Sequence, residues 1–361
     1  MAKKITFRDI ARQADVAVST VSQVLNNKPG VSNETRQRVL EVAAQLGYRQ
    51  RVVSDAVISP HLNTLALLTK RYNGDPVHIN PFYSYVLAGA ERECQRHNIG
   101  LMYANIEVDE NSRAVSLPAS VLLQRVDGVI IVGAFLEETI SEISRQAGHN
   151  VVLVDAYTTG RTVYDSVLID NLNGAFNAVS YLINNGHRHI GLIGSHPHSY
   201  PSILERRAGY LKALQVHGIQ ETYIEDSLLE RADAFEATLR LLQRAPQITA
   251  IFACNDNIAI GVMNAVQKLG FSVPGQISVV GFDDIDLAQE VSPPLTTVHV
   301  DKVLLGVMAV RLSQDRAASP GRPALTTTLS TQLIVRESVR PLMGSTAVSY
   351  THLTLPTIYS V

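Results

Sequence analysis

The stretch T-F-R-D-I-A-R-Q-A-D-V-A-V-S-T-V-S-Q-V-L-N-N, residues 6–27, decides the reading of this chain. Thr6, three residues before Asp9, has the spacing of a capping box with Asp in the acidic place. Ile10, Ala11 and Ala14 then make one apolar face, and Asp15-Val16-Ala17 is a short turn. A second helix is expected over Val18–Asn26, with Val21, Val24 and Leu25 inward and Ser19, Thr20, Ser22 and Gln23 outward. The outward set consists of small or amide side chains able to hydrogen-bond. Asn26 to Gly30 breaks the chain. Ser32 then caps a third helix carrying Val39, Val42, Ala43 and Leu46 at i, i+3, i+4, i+7, stopped by Gly47.

Charge separates this head from the body of the protein. Residues 1–51 carry nine Lys/Arg against four Asp/Glu, a net +5, which leaves −7 to the rest of a chain whose total is −2. A basic head on an acidic body implies different partners for the two. Two short helices across a tight turn, the second polar, suit insertion into the major groove of double-stranded DNA. Lys3, Lys4, Arg8, Arg36 and Arg38 are candidates for flanking phosphate contacts. A generic three-helix bundle with a solvated polar face is the competing interpretation of the same composition.

The rest of the 361 residues is ordinary globular sequence, 46% hydrophobic and 18% charged, with length for two or three domains. Cys94 and Cys254 are too few for a disulfide framework or zinc ribbon and fit a reducing cytoplasm. The start MAKKITFRDI has no apolar h-region, and no apolar run approaches the roughly 18 residues of a membrane span, so neither secretion nor a membrane partner is expected. From Thr64 apolar runs alternate with amphipathic segments. Strands are expected at 64–68, 100–105, 129–132, 151–155, 190–194, 250–253 and 278–282. Helices are expected at 82–97, 117–125, 174–185, 204–217, 232–243 and 258–269. That alternation predicts parallel, doubly wound sheets, with ligands at the carboxyl ends of strands.

The phrase at residues 6–27, continued by G-V-S-N-E-T-R-Q-R-V-L-x-x-A-x-x-L-G-Y through Tyr48, resembles the DNA-binding head of the LacI/GalR family of bacterial transcription regulators. The body resembles the same family through I-D-N-x-N-G-A at 169–175, N-N-G-H-R-H-I-G at 184–191 and E-R-R-A-G-Y at 205–210. A-I-F-A-C-N-D-N-I-A-I-G, V-P-G-Q-I-S-V-V-G-F-D-D-I and S-P-P-L-T-T-V extend the match to about residue 340. The resemblance implies a small all-α helix-turn-helix head over 1–50 and a hinge or linker over 51–63. The α/β body over 64–340 would be periplasmic-binding-protein-like, for effector binding and dimerisation. Its N-subdomain would span 64–168 and 298–327 and its C-subdomain 169–297 and 328–340.

Departures from the family pattern bear on DNA reading. Asp15 stands where the family usually has glycine, and Asp tolerates the left-handed conformation better than most residues. Ala17 replaces the usual Ser, removing an N-cap and a phosphate contact. Gln23 replaces the common Arg; Arg favours guanine, whereas Gln pairs bidentately with adenine, so an operator shifted toward A·T is expected there. The resemblance makes Thr6, Val18, Ser19, Thr20, Ser22, Gln23, Asn26, Arg51 and Val57 the DNA-contacting set. In the family the hinge forms a short helix that wedges a leucine into the minor groove. Here Gln50 replaces the usual Pro, Val57 the leucine, and Pro60 ends any helix, so either the hinge works differently or the stretch is a linker.

For the effector, sugar hydroxyls need paired donors and acceptors, often with an aromatic ring against the apolar face. Asn255-Asp256 and Asp283-Asp284 each follow a strand, which puts amide and carboxylate groups toward one cleft. By resemblance Arg206 is the effector-contacting arginine, Phe82 and Tyr83 the aromatics at the cleft mouth, and Leu229 sits where some members carry another ring. The expected effector set is Phe82, Tyr83, Asp155, Arg206, Leu229, Asn255, Asp256 and Asp283. A helix cap or core packing is the competing role for the lone Asp residues and Phe82.

His187, His189, His196 and His198 cluster without a ligand spacing that compels metal, Gly191-x-x-Gly194 lacks full phosphate-loop spacing, and no Ser/His/Asp constellation has motif support. No metal, cofactor or catalytic residue is therefore expected. Residues 348–357, VSYTHLTLPT, match the translation of a transposon-end sequencing adapter, so 348–361 is expected to be non-native. The chain is thus expected to be a cytoplasmic regulator, associated with the nucleoid when DNA-bound and acting as a repressor. Its partners would be a pseudo-palindromic operator, a sugar-like small-molecule effector (a nucleoside or purine second) and a second copy in a homodimer or a tetramer. The rivals are a sugar- or nucleoside-binding protein of periplasmic type without regulatory role, and an enzyme on the same fold.

Overall fold

The computed structural model describes residues 6–25, 62–72, 81–109, 126–147, 150–158 and 163–342, with 31, 32, 35, 38, 39, 42, 113–115 and 117. The chain divides into two compact units, 1–59 and 60–361.

In the first unit, α1 (Phe7–Ala14) and α2 (Val18–Leu25) form the expected pair. The Thr6 amide and hydroxyl both donate to the Asp9 carboxylate, at 2.8 and 2.6 Å, closing the cap at the start of α1. Asp15 takes φ 49°, and the Val16 amide reaches back to the Ala11 carbonyl at 3.1 Å, so the turn keeps the left-handed residue with Asp in the glycine's place. Ile10, Ala11, Ala14, Val21, Val24 and Val39 form a closed core. The Ser32 hydroxyl accepts from the Thr35 amide at 3.3 Å, and 35, 38, 39 and 42 are helical.

In the second unit, a six-stranded sheet is built from β1 (Thr64–Tyr72), β2 (Gly100–Val108), β3 (Gly128–Val132), β4 (Val151–Val154), β5 (Asp165–Ile169) and, late in the chain, β11 (Thr326–Leu329). Its order is β11-β5-β4-β3-β1-β2, parallel throughout. A second parallel sheet has order β7-β6-β8-β9, from β6 (Ile190–Ile193), β7 (Tyr223–Glu225), β8 (Ala250–Ala253) and β9 (Ser278–Val280). Every residue of β3, β4, β6 and β8 is buried, as strands covered on both faces require.

The helices are α3 (Pro81–Arg96), α4 (Glu137–Ala147), α5 (Asn171–Asn184), α6 (Pro201–Val216), α7 (Arg231–Arg244), α8 (Asp256–Lys268), the short α9 (Leu287–Glu290) and α10 (Lys302–Ala318). The chain leaves the first sheet after β5 into α5. It passes back after β10 (Thr297–His299) through α10, which packs on α3, and leaves again after β11 into β12 (Gln332–Ile334), antiparallel to β10. Gly89 and Gly306 allow the α3–α10 crossing: a Cβ on either would stand 2.0 Å from a carbonyl oxygen of the other helix, that of Val303 or Val86.

The doubly wound prediction is thus realised, with additions. Helices α4, α9 and α10 and strands β5, β7, β10 and β11 were not foreseen, and the strand expected over 278–282 stops at Val280. Most of the helix expected at 117–125, the hinge up to residue 61 and the adapter-like tail lie outside the described residues.

Candidate effector site and DNA-reading face

The site in the body is built around Arg206 on α6, which is 4% exposed. Its Nε donates to the Asn171 side-chain Oδ1 at 2.9 Å, one terminal nitrogen donates to the Cys254 backbone carbonyl at 2.6 Å, and the other lies 3.0 Å from Asp283 Oδ1. The guanidinium sits 3.8 Å above the centre of the buried Phe282 ring. It is thereby held to the start of α5, the end of β8 and the end of β9 together.

Asp155 follows β4 and Asp283 follows β9, each with positive φ, 49° and 107°. Non-glycine residues held in that region mark positions fixed by their surroundings. Burial pushes the Asp155 carboxyl up to about 7; Arg206 opposes the rise, Asp283 and Glu205 add to it, and a hydrogen bond from Tyr83 opposes it. Burial likewise raises Asp283 against the pull of Arg206 and Lys302. The Asp155 Oδ1 is shielded from solvent and makes no hydrogen bond of good geometry. Tyr83 feels both acids and is driven well above its ordinary value, mainly by burial. Tyr83, Asp155, Arg206 and Asp283 therefore form one electrostatic cluster.

The other expected effector residues have settled positions. Asn255 is the N-cap of α8, its side-chain oxygen accepting from the Ile258 amide at 2.8 Å. Asp256 is wholly buried, and both its oxygens are engaged, by the Thr297 hydroxyl at 2.5 Å and the Ile285 amide at 2.9 Å. Its carboxyl, pushed up to about 8 chiefly by burial and then by Asp283, ties α8 to the crossing strand. Phe82 lies in the core, edge-on to Tyr83 with ring centres 5.4 Å apart. Leu229 packs, partly buried, against the same core. The Asp283-Asp284 pair is split. Asp284 turns to Arg336 at 2.7 Å and His299 at 2.9 Å and is held below the ordinary carboxylate range by them, so only Asp283 joins Arg206.

Further residues complete the cluster. The Tyr157 hydroxyl donates to Glu205 at 2.9 Å, and the Asn171 amide donates to the same carboxylate at 3.3 Å. Lys70, near the end of β1, donates to the Tyr200 hydroxyl at 2.9 Å, and Tyr85 bonds Asp286. The Tyr157, Lys70 and Tyr85 bonds join elements of the first sheet to elements of the second. Asn171 stands inside the I-D-N-x-N-G-A phrase and Glu205 opens the E-R-R-A-G-Y phrase, which were their only sequence signals; Tyr157, Lys70 and Tyr200 had none.

In the head, Val18, Ser19 and Gln23 are exposed on α2 and Thr20 and Ser22 are half-buried, while Val21 and Val24 on the opposite side are buried. Thr6 is exposed beside α1. Arg8 and Arg12 line an open groove of about 630 Å³ that runs past Ala17 and Val18 at the first turn of α2. Asn26, Arg51 and Val57 lie outside the described residues. Among the described residues no group of His, Cys, Asp and Glu could hold a metal ion, and no helix is long and apolar enough to cross a membrane.

A helix-turn-helix with a polar outer face, in one chain with two wound sheets and a charged cluster at their strand ends, defines a DNA-binding regulator with a small-molecule site. The comparisons agree. The model of bacterial regulatory proteins of the lacI family matches residues 6–50, and that of the periplasmic binding protein-like domain matches 179–339. A ribose operon repressor of Haemophilus influenzae is 31% identical over 340 residues, covering 93% of this chain and 99% of the relative. The HTH-type transcriptional regulator GalS of Salmonella typhimurium is 32% identical over 340 residues, covering 93% and 96%. Among solved structures, the transcriptional regulator CelR in complex with cellobiose matches with TM-score 0.66 and 27% identity over 92% of this chain and 99% of that one. A LacI family regulator from Enterococcus faecium with bound ribose matches with TM-score 0.66 and 26% identity over 78% and 100%. The chain belongs to the lacI family of bacterial regulatory proteins, and it is a DNA-binding transcriptional regulator.

Proposed function

We propose that this regulator is a cytoplasmic repressor that binds a pseudo-palindromic operator as a homodimer and answers to a sugar-like effector held by the body, without catalysing a reaction. The observation that carries the DNA half is the outer face of α2, where Val18, Ser19 and Gln23 stand exposed over a core sealed by Val21 and Val24. A helix so displayed reads base edges in the major groove, and two heads read two half-sites. Arg8 and Arg38, both exposed, serve the phosphates.

Tyr83, Asp155, Arg206, Asn255 and Asp283 are the proposed effector contacts. Effector hydroxyls would bridge Asp155 at the first sheet and Asp283 and Arg206 at the second, so binding biases the relation between the sheets and, by reciprocal coupling, operator affinity. Relatives include a ribose operon repressor, and a structural neighbour holds cellobiose, which supports a sugar-like ligand. Gel shifts on the DNA upstream of the gene, with and without a panel of sugars, test the proposal. A retarded complex altered by one sugar is expected; no complex on any operator-like palindrome would refute it.

A further inference from the structure

The turn between α1 and α2 has lost one kind of polar group and holds another. Ala17 stands at the N-cap of α2, its carbonyl accepting from the Val21 amide at 3.1 Å, and it brings no side-chain oxygen to the groove beside it. The same groove is lined by Arg8, Arg12 and Asp15. Arg8 and Arg12 lie four residues apart on α1, so they share one face, and both are exposed. In the body arginine is paired with carboxylates, as at Arg71, Arg240, Arg311, Arg316 and Arg322. Among the described residues neither Arg8 nor Arg12 has such a partner. Two guanidiniums against the single Asp15 carboxylate leave the groove a net +1, the complement of one phosphodiester.

The place of the groove decides which anion it meets. Val18 belongs to two surfaces: it is exposed on the base-reading face of α2 and it lines the groove. When the second helix of such a pair lies in the major groove, the first crosses the sugar–phosphate backbone. The backbone beside Val18 therefore passes over α1 at Arg8 and Arg12. The other role open to Arg12, in the last turn of α1, is to counter the helix dipole, and that role needs no DNA.

We propose that Arg12 grips a DNA phosphate, acting with Arg8 across this groove, and that it replaces by charge the hydroxyl contact that Ala17 cannot make. The inference rests on the DNA-binding reading and adds to it a residue outside the base-reading face. The exchange changes the kind of binding. A hydroxyl contacts phosphate without displacing a counterion, whereas a guanidinium displaces one, so the head holds DNA with a steeper dependence on salt.

The test needs no knowledge of the operator, because a phosphate contact is independent of base sequence. The full chain is titrated with a fluorescent duplex of arbitrary sequence between about 50 and 200 mM salt. Arg12→Gln is expected to bind roughly tenfold more weakly at the low end. It should also reduce the slope of log K against log salt by about 0.9, so that its deficit shrinks roughly 3.5-fold across the range. Arg12→Lys should keep the slope, because the charge remains. Ala17→Ser added to Arg12→Gln should recover affinity and leave the slope low. Arg92→Ala, which removes an exposed charge from α3, should alter neither. An unchanged slope in Arg12→Gln, with a lowered melting temperature, would assign Arg12 to the helix dipole and overturn the proposal. An equal change in Arg92→Ala would overturn it in favour of net charge alone, and no recovery with Ala17→Ser would overturn the exchange. A wild-type chain that binds no duplex removes the DNA-binding reading itself, a result distinct from every one of these.

Discussion

Arg206 and Asp283 meet as a buried ion pair, 3.0 Å apart, with side chains 5% and 13% exposed. The pair joins α6 to the loop after β9, and Arg206 spends two further donors on Asn171 and the Cys254 carbonyl. Removing one partner of such a pair leaves the other uncompensated, which costs about 3–5 kcal/mol. Arg206→Ala is expected to lower the unfolding free energy by about that amount and to abolish effector response. Arg206→Lys keeps the charge but loses the fork, and should retain stability better than response. Urea titration followed by effector-dependent gel shift separates the two effects; unaltered stability in Arg206→Ala would show the pair to be energetically idle.

Stability should fall as pH rises from about 6.5 to 8.5. Asp155 and Asp256 are raised to about 7 and about 8 from an unfolded value of about 3.9, so the folded chain holds protons that the unfolded chain has lost. Their contribution is complete below the unfolded value and disappears as pH climbs through the folded ones. His187, depressed to about 4 by burial, works the other way, but its contribution is complete once pH passes the unfolded imidazole value of about 6.5. Above that value His187 no longer adds to the slope, and the raised carboxyls, Asp283 among them, govern it. Thermal melts across this window should show a falling midpoint in the wild type and a flatter profile in Asp155→Asn. A hydroxyl donated to Asp155 favours its ionised form, so effector affinity should rise with pH up to about 7, with proton release measurable by calorimetry in two buffers.

Gly306 faces the Val86 carbonyl so closely that an added Cβ would stand 2.0 Å from its oxygen, and no side-chain rotation relieves a clash with backbone. Gly306→Ala should therefore push α10 off α3 and destabilise the body by about 1–3 kcal/mol or more. Circular dichroism melts of the variant check this. Gly321→Ala, where the added atom meets nothing within 4 Å, is the control.

That same helix marks where sequence stopped being legible. In K-V-L-L-G-V-M-A-V-R-L-S-Q-D-R-A-A the apolar residues ring the helix, because α10 packs on α3 and on strands β3, β4 and β5, so no single stripe betrays the period. Amphipathic α5 and α7 were read within a few residues. In the cluster, Arg206 and Asp283 stand within local phrases that resemble the family's, whereas Asp155 stands in none. The Tyr157–Glu205 contact was not legible, because it spans 48 residues and exists only once the two sheets are placed. Asp256 shows what a strand-end position does not reveal: its partners Thr297 and Ile285 lie 41 and 29 residues away. Asp15 was read from the resemblance, as standing in the turn glycine's place, and its φ of 49° is a conformation that Asp tolerates.

Gln23, exposed on α2, is the residue through which the operator is expected to depart from its relatives'. A glutamine amide presents one donor and one acceptor, matching the N7 and N6 edge of adenine, whereas arginine presents two donors to guanine O6 and N7. Each such pairing discriminates by about 1–3 kcal/mol, or roughly 5- to 150-fold. Selection from randomised half-sites should enrich adenine at one position for the wild type and guanine at the same position for Gln23→Arg. The other positions should be unchanged, because Val21 and Val24 keep the helix seated on Ile10 and Ala14 in both proteins. Because arginine adds a charge, the variant should also bind all DNA more tightly at low salt, so the comparison is made at matched, physiological ionic strength. Guanine enriched there by the wild type would mean that Gln23 does not make the contact that sets that base.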